Sequence, residues 1–418
     1  MRTLIHKLLT VLLLITFVVP AITAQNEEGW KASEKRVTDL SKPDNTFNYY
    51  ESKVPSFTLP QLLVTSEGKK VTDMRTWENI RRPEILELFR THVFGRVPET
   101  PFKQEFKVIN VDRNALNGAA TLKLIDINIT SGEKSLVIHL TLFTPNKSGK
   151  PAPVFLLIDN RGPANTDPSR QVKSEFWPVE EAIARGYGMA VFSNADVDPD
   201  NFDGFKNGIH AIIDKQPRSG DSWGTLAAWA WGAGRCMDYL ESDKDADSHR
   251  VAVVGHSRGG KTALWAGAVD QRFAMVVSNE SGCGGAALAR RQYGETVARI
   301  NTAFPHWFCS NYKTYADNED AMPVDMHMLL ALTSPRALYV DCAADDLWGD
   351  PRGSYLSLFH AAPAFNLSGT YCTIPEAMPP LNKQVVSGKL GFHIRDGGHN
   401  MLLADWNRFM DFADVVLK

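Results

Sequence analysis

The apolar residues of this chain follow several rhythms, and each rhythm predicts a different kind of element. Residues 8–19 form an almost unbroken apolar run. Residues 25–101 are polar and punctuated by proline, with one clear helical stretch at 81–94. There Ile85, Leu86, Leu88 and Phe89 recur at helical spacing, and Pro83 sits near the start, where proline is tolerated. Two β-rich runs follow, 119–129 and 134–143. In these, Ile125, Ile127 and Ile129, then Leu136, Ile138 and Leu140, alternate with other residues. Such alternation predicts half-buried antiparallel strands.

Five later runs are of another kind: 154–158, 189–192, 251–254, 274–277 and 337–340 are short, continuously apolar and bounded by turn residues. Runs of that composition suit strands covered by helices on both faces. Helical patterns lie between them at 179–185, 223–240 and 262–268, and a strand-like stretch at 390–394 precedes a loop and a C-terminal helix. Strand then helix, repeated after an antiparallel start, predicts an α/β protein, a three-layer αβα sandwich with a mostly parallel central sheet. The expected organisation is a leader at 1–24, an N-terminal extension at 25–105 packed on the main domain, and the main domain at 106–418.

Composition agrees with a large core: of 418 residues, 44% are hydrophobic and 22% charged. A formal net charge of -3 argues against nucleic acid as the main partner, because phosphate binding rests on a basic excess. Arg2 and Lys7 before the first apolar run, and small residues from Ala21 to Ala24 after it, make the start a signal peptide, with cleavage expected after Ala24. The run is shorter than the roughly 20 residues that span a bilayer and ends at Pro20, so no membrane anchor is expected to remain. The mature chain is expected to be secreted or periplasmic, and a monomer.

Five cysteines, Cys236, Cys283, Cys309, Cys342 and Cys372, leave at least one thiol free or intermolecular. Their spacing matches no zinc pattern and no His-Glu-x-x-His occurs, so no metal site is expected. Cys283 is read as a buried cysteine.

Chemistry concentrates at residues 251–261, Val-Ala-Val-Val-Gly-His-Ser-Arg-Gly-Gly-Lys. A buried strand here runs into Gly-x-Ser-x-Gly and then an Ala-rich helix, the strand-turn-helix setting in which Ser257 is an exposed nucleophile. Glycines flank the serine because the tight turn leaves no room for Cβ atoms. The helix N-terminus would point N–H groups at an oxyanion. Gly-x-Ser-x-Gly alone is a common chance match; its context gives it meaning. In this order of elements, characteristic of α/β-hydrolases, the base comes last in the chain. His399, in Gly397-Gly398-His399-Asn400, follows the strand at 390–394 and precedes the last helix. His256 is expected to point elsewhere in the turn, and His393 falls within the strand. For the acid two places are open: Glu280, after the strand at 274–277, and Asp345 or Asp346, after the strand at 337–340.

Several motifs together extend this reading. They are Gly-His-Ser-Arg-Gly-Gly-Lys (255–261), Asn279-Glu280-Ser281-Gly282, Phe304-Pro305-His306-Trp307-Phe308, Asp325-Met326-His327, Ser334-Pro335-Arg336, Asp346-Leu347-Trp348 and Gly398-His399. With Arg81-Arg82-Pro83-Glu84-Ile85-Leu86 and Phe94-Gly95-Arg96-Val97-Pro98, the chain resembles a bacterial glucuronoyl esterase of carbohydrate esterase family 15, over nearly all of its mature length. The resemblance implies an α/β-hydrolase that cleaves the ester between glucuronic acid on xylan and an alcohol on lignin, with no cofactor. It makes Ser257 the nucleophile, His399 the base and Glu280 the acid, with Asp346 as alternative or helper. It also implies a role for Arg258 at the oxyanion and contacts from Lys261, Glu295 and Trp348 to the glucuronoyl sugar.

These roles are chemically reasonable. A guanidinium beside the nucleophile can stabilise a tetrahedral intermediate, and a cation on a first helical turn is otherwise badly placed unless an anion visits. Lys261 lies one helical turn after Ser257, although a solvated helix lysine is the plain alternative. Glu295 is equally a loop carboxylate and Trp348 equally core packing, while His306 and Trp307 are candidates to line the cleft, with packing the plainer reading. Trp229 and Trp231 are assigned to the core. Rival functions are another polysaccharide esterase such as an acetyl xylan esterase, a serine peptidase, or a catalytically silent carbohydrate-binding hydrolase fold.

Overall fold

Ten strands among the described residues form one sheet. The computed structural model describes residues 29–42, 46–147 and 149–418; the leader expected at 1–24 lies outside them. The strands are β1 (Lys103–Ala115), β2 (Ala120–Ser131), β3 (Lys134–Pro145), β4 (Ala152–Asp159), β5 (Gly188–Ser193), β6 (Ala246–His256), β7 (Met275–Asn279), β8 (Ala337–Ala343), β9 (Val385–Ser387) and β10 (Leu390–Arg395). They lie in the order β1-β2-β3-β5-β4-β6-β7-β8-β10-β9. β5, β4, β6, β7, β8 and β10 run parallel, and the other pairings are antiparallel.

The continuously apolar runs are explained by their two covered faces. Along β4, Val154, Leu156 and Ile158 enter one core while Phe155 and Leu157 enter the other. β6 divides Val251 and Val253 from Ala252 and Val254 in the same way. The first core is closed by the helices Arg82–His92, Thr225–Ser242, Arg258–Val269, Met326–Ala331 and Pro351–Asn366. The second lies under Val179–Ala184 and Leu403–Val416. Alternation of side chains across a strand thus feeds two hydrophobic layers from one sequence.

β1 escaped the pattern reading. Its residues are exposed almost throughout, and an irregular register between Val108 and Asn110 breaks the two-residue period. Trp231 also differs from expectation: Trp229 is fully buried, but Trp231 is only half-buried, edge-on to Phe102. All five cysteines are buried free thiols.

The residues before β1 join the main cores. Trp77, Ile85, Phe89, Val93 and Phe94 belong to the first of them, and Phe94 stacks on Trp265 with ring centroids 4.4 Å apart. Buried Arg82 donates to the carbonyls of Ala268 and Leu332, at 2.6 and 3.1 Å, capping the end of the helix Arg258–Val269. Farther upstream, Trp30, Val37, Phe47, Tyr49 and Val54 cluster with Tyr293, Leu347 and Trp348.

Candidate active site

β6 ends in a turn that its glycines make possible. A Cβ on Gly255 would lie 2.0 Å from the carbonyl oxygen of Gly259, so no side chain fits there. Ser257 follows with φ 57° and ψ -122°, a strained conformation for a residue with a side chain. Its N–H donates to the carbonyl of Asn279 on β7 at 2.9 Å, and its own carbonyl accepts from the N–H groups of Gly260 and Lys261. The helix Arg258–Val269 therefore starts directly beneath the serine.

The eight residues singled out in the sequence, Ser257, Arg258, Lys261, Glu280, Glu295, Asp346, Trp348 and His399, all line one cavity of about 320 Å³. Its remaining wall is Ser281, Gly282, Phe304, Trp307 and Gly349.

His399 is 40% exposed at the mouth, and its Nδ1 faces both candidate acids: Asp346 Oδ2 at 2.7 Å and Glu280 Oε2 at 3.1 Å. With Nδ1 donating to carboxylate, Nε2 is left as the basic nitrogen. Burial disfavours the imidazolium, but hydrogen bonds and charge from the two carboxylates outweigh it and raise His399 to about 9. Glu280 is fully buried at a positive φ of 48°. It accepts the N–H of Asn400 at 2.9 Å and Nη2 of Arg395 at 2.5 Å. Burial pushes its carboxyl up to about 7, against the pull of His399 and Arg395.

Behind these groups runs a polar network that the sequence did not reveal. Arg395 bridges Glu280 to Asp405, which in turn accepts from His393 at 2.9 Å. His256, which the sequence reading turns away from the site, packs its ring 4.5 Å from that of His399. Its Nε2 meets a guanidinium nitrogen of Arg161 at 2.8 Å, so its proton sits on Nδ1, which donates to Asn279 Oδ1 at 2.5 Å. Burial, then the neighbouring His399 and Arg161, hold this imidazole neutral, far below its ordinary pKa. The backbone of β6 cannot turn His256 outward because the elbow directs Ser257 to solvent and its predecessor into the core.

Arg258 does not wait for a visiting anion. Its Nη1 pairs with Asp200, a residue no sequence motif marked, and its guanidinium lies over Trp307 and Phe304, 4.8 and 5.3 Å from their centroids. Trp307 reaches the cavity, whereas His306 sits behind it and bonds Asp200.

On the other side, buried Lys261 donates to the carbonyl of Ser281 at 2.5 Å and lies 3.9 Å from Glu295. Burial lowers the Lys261 ammonium and raises the Glu295 carboxyl, each partly opposed by the other's charge. Glu295 also accepts a hydrogen bond from the Trp348 side chain, whose ring meets Phe47 edge-on at 4.8 Å. Arg36 donates to the carbonyl of Asp345 at 2.9 and 3.1 Å. Residues before the sheet thus brace the wall that carries Asp346 and Trp348.

A sheet of this order, with an elbow serine after β6, defines an α/β-hydrolase. The family model of fungal glucuronyl esterases matches residues 127–369. Carbohydrate esterase MZ0003, from an unknown prokaryotic organism, is 41% identical over 408 residues, 90% of this chain and 93% of its own. The solved glucuronoyl esterase from Solibacter usitatus shares 40% identity at a TM-score of 0.82, over 88% of this chain and 100% of that one. The 4-O-methyl-glucuronoyl methylesterase 1 of Phanerochaete chrysosporium is 28% identical over 361 residues, 79% of this chain and 69% of its own. The chain belongs to the glucuronoyl esterases, carbohydrate esterase family 15, and is a carboxylic ester hydrolase.

Proposed function

We propose that this chain is an exported serine esterase that hydrolyses the ester between (4-O-methyl-)glucuronic acid of xylan and lignin alcohols. The observation that carries the proposal is convergence: an elbow serine, a histidine held by carboxylates, and the Lys261–Glu295–Trp348 group share one small cavity. At about 320 Å³ it lies at the lower end of the range for ligand pockets, of a size for a single sugar ring. In this reading residues 1–24 direct export, and residues 25–105 complete the catalytic unit. The clustering of Trp30, Phe47 and Tyr49 with Trp348 and Tyr293 supports the latter.

His399 takes the Oγ proton as Ser257 attacks the uronate carbonyl carbon. Charge develops on the carbonyl oxygen beside the N-terminus of the helix Arg258–Val269, where backbone N–H groups and the Arg258 guanidinium stabilise it. Collapse breaks the bond to the alcohol oxygen, and the alcohol leaves with the proton from His399. Water then gives a proton to His399 and attacks the acyl-serine. Oγ regains its proton, and the free uronic acid departs. Glu280 and Asp346 stabilise the imidazolium in both halves, while Lys261, Glu295 and Trp348 hold the sugar.

Hydrolysis of benzyl glucuronate, measured beside p-nitrophenyl acetate and acetylated xylan, tests the proposal. Turnover of the glucuronate well above the acetyl substrates is expected. Preference for acetyl groups would reject the uronate reading, and absence of turnover on all three would favour the silent carbohydrate-binding fold.

A further inference from the structure

We infer that Asp200 is a positioning residue that acts through Arg258, holding the guanidinium against the aromatic wall of the cavity so that it faces the developing oxyanion. The inference rests on the oxyanion role proposed above for Arg258.

Asp200 lies in the loop after β5 and the short helix Asn194–Val197, and that loop is anchored at its base. The side chain of Asp198 accepts from Thr225 Oγ1 at 2.6 Å, and its carbonyl accepts from Trp229 Nε1 at 2.7 Å. Ile209 closes the loop by donating to the carbonyl of Val197 at 2.8 Å. From this base the Asp200 carboxylate divides its two oxygens between different tasks. Oδ2 takes Nη1 of Arg258. Oδ1 takes His306 Nε2 at 3.0 Å and Trp307 Nε1 at 2.7 Å.

Trp307 is in turn stacked on Phe304, with centroids 3.7 Å apart and planes within 2°. One carboxylate thus ties the guanidinium to the same two rings over which it lies. The Nε–H of Arg258 is buried without an acceptor, so the guanidinium is held through Nη1 and the two rings alone. Arg258 also begins its helix, where the positive end of the dipole repels a cation. Asp200 offsets that repulsion while leaving the remaining guanidinium donors for the substrate.

The test is a double-mutant cycle on kcat and KM with benzyl glucuronate, with melting temperature recorded for every variant. Asp200→Asn keeps the shape and removes the charge. It is expected to lower kcat about 10- to 100-fold, below the roughly 10²- to 10³-fold loss typical of deleting an oxyanion donor, with KM within about twofold. In an Arg258→Ala background the same change is expected to add less than about a twofold loss. Trp307→Phe, which keeps the ring but removes the donor to Asp200, is expected to give a smaller kcat loss that also vanishes in that background. Equal losses in both backgrounds, or an unchanged kcat in Asp200→Asn, would overturn the inference while leaving the esterase reading intact. An unchanged kcat in Arg258→Ala would overturn the oxyanion role and the inference with it.

Discussion

Glu280 and Asp346 converge on the same nitrogen of His399, at 3.1 and 2.7 Å. They stand just past the ends of neighbouring strands, β7 and β8, and approach the imidazole from different surroundings. Both reach the cavity wall, but Glu280 is fully buried and shared with Arg395, whereas Asp346 is the more open of the two. Each is placed to orient the ring and to stabilise its cation.

Both are therefore expected to contribute to catalysis. Glu280→Gln and Asp346→Asn should each lower kcat by about 10- to 100-fold. Together they should approach the roughly 10⁴-fold loss seen when a triad histidine loses its acid. Steady-state kinetics of the two single variants and the double variant decides this. An unchanged kcat in either single variant would show that its carboxylate is a bystander.

The pH profile carries a sign. In the proposed mechanism His399 must be neutral to accept the serine proton, and the two carboxylates raise its pKa to about 9. The acid limb of kcat/KM should then lie above the ordinary imidazole value, with activity falling as pH drops through it. Asp346→Asn removes one of the raising groups, so the limb should move to lower pH. A limb that stays in place, or moves upward, contradicts the geometry.

Ser257 is held at φ 57° and ψ -122°, a conformation that glycine adopts freely. Ser257→Gly should abolish turnover yet stabilise the fold by about 1 kcal/mol, the strain relieved less the backbone entropy lost. Thermal melting compared with Ser257→Ala measures this. A Ser257→Gly variant that melts below Ser257→Ala, by the backbone entropy alone, would mean that the elbow stores no strain.

Arg395 lies between Glu280 and Asp405, all three nearly or fully buried. Removing its charge in Arg395→Met leaves two buried carboxylates without their common cation. The expected cost is about 3–5 kcal/mol in urea denaturation, together with a fall in kcat as Glu280 loses its anchor. A cost under about 1 kcal/mol would show that the network relaxes around the loss.

Much of this site was legible in the sequence because its parts are local. The elbow is written in a few consecutive residues, since a sharp turn demands glycine at Gly255 and a buried strand before it. The position of His399 follows from the order of strands and helices, and the doubly covered strands announce themselves by continuous apolar runs. β1 was lost because an exposed, irregular edge strand carries no period to read.

Asp200, Arg161 and Arg395 were missed for a different reason. Nothing within a few residues of Asp200 or Arg395 distinguishes them from ordinary surface charges. Their partners lie far along the chain: Arg258 for Asp200, Glu280 for Arg395, and His256 for Arg161. That Glu280 and Asp346 both reach His399 likewise follows only from β7 and β8 lying side by side. Periodicity and turn sterics act over a few bonds, so the order of amino acids already tells which strands are buried, where the elbow turns, and which histidine follows the last parallel strand. Which charge meets which is settled by the folded arrangement. That depends on strand adjacency and loop return, where groups remote in sequence come within hydrogen-bonding distance and must pair once water is excluded.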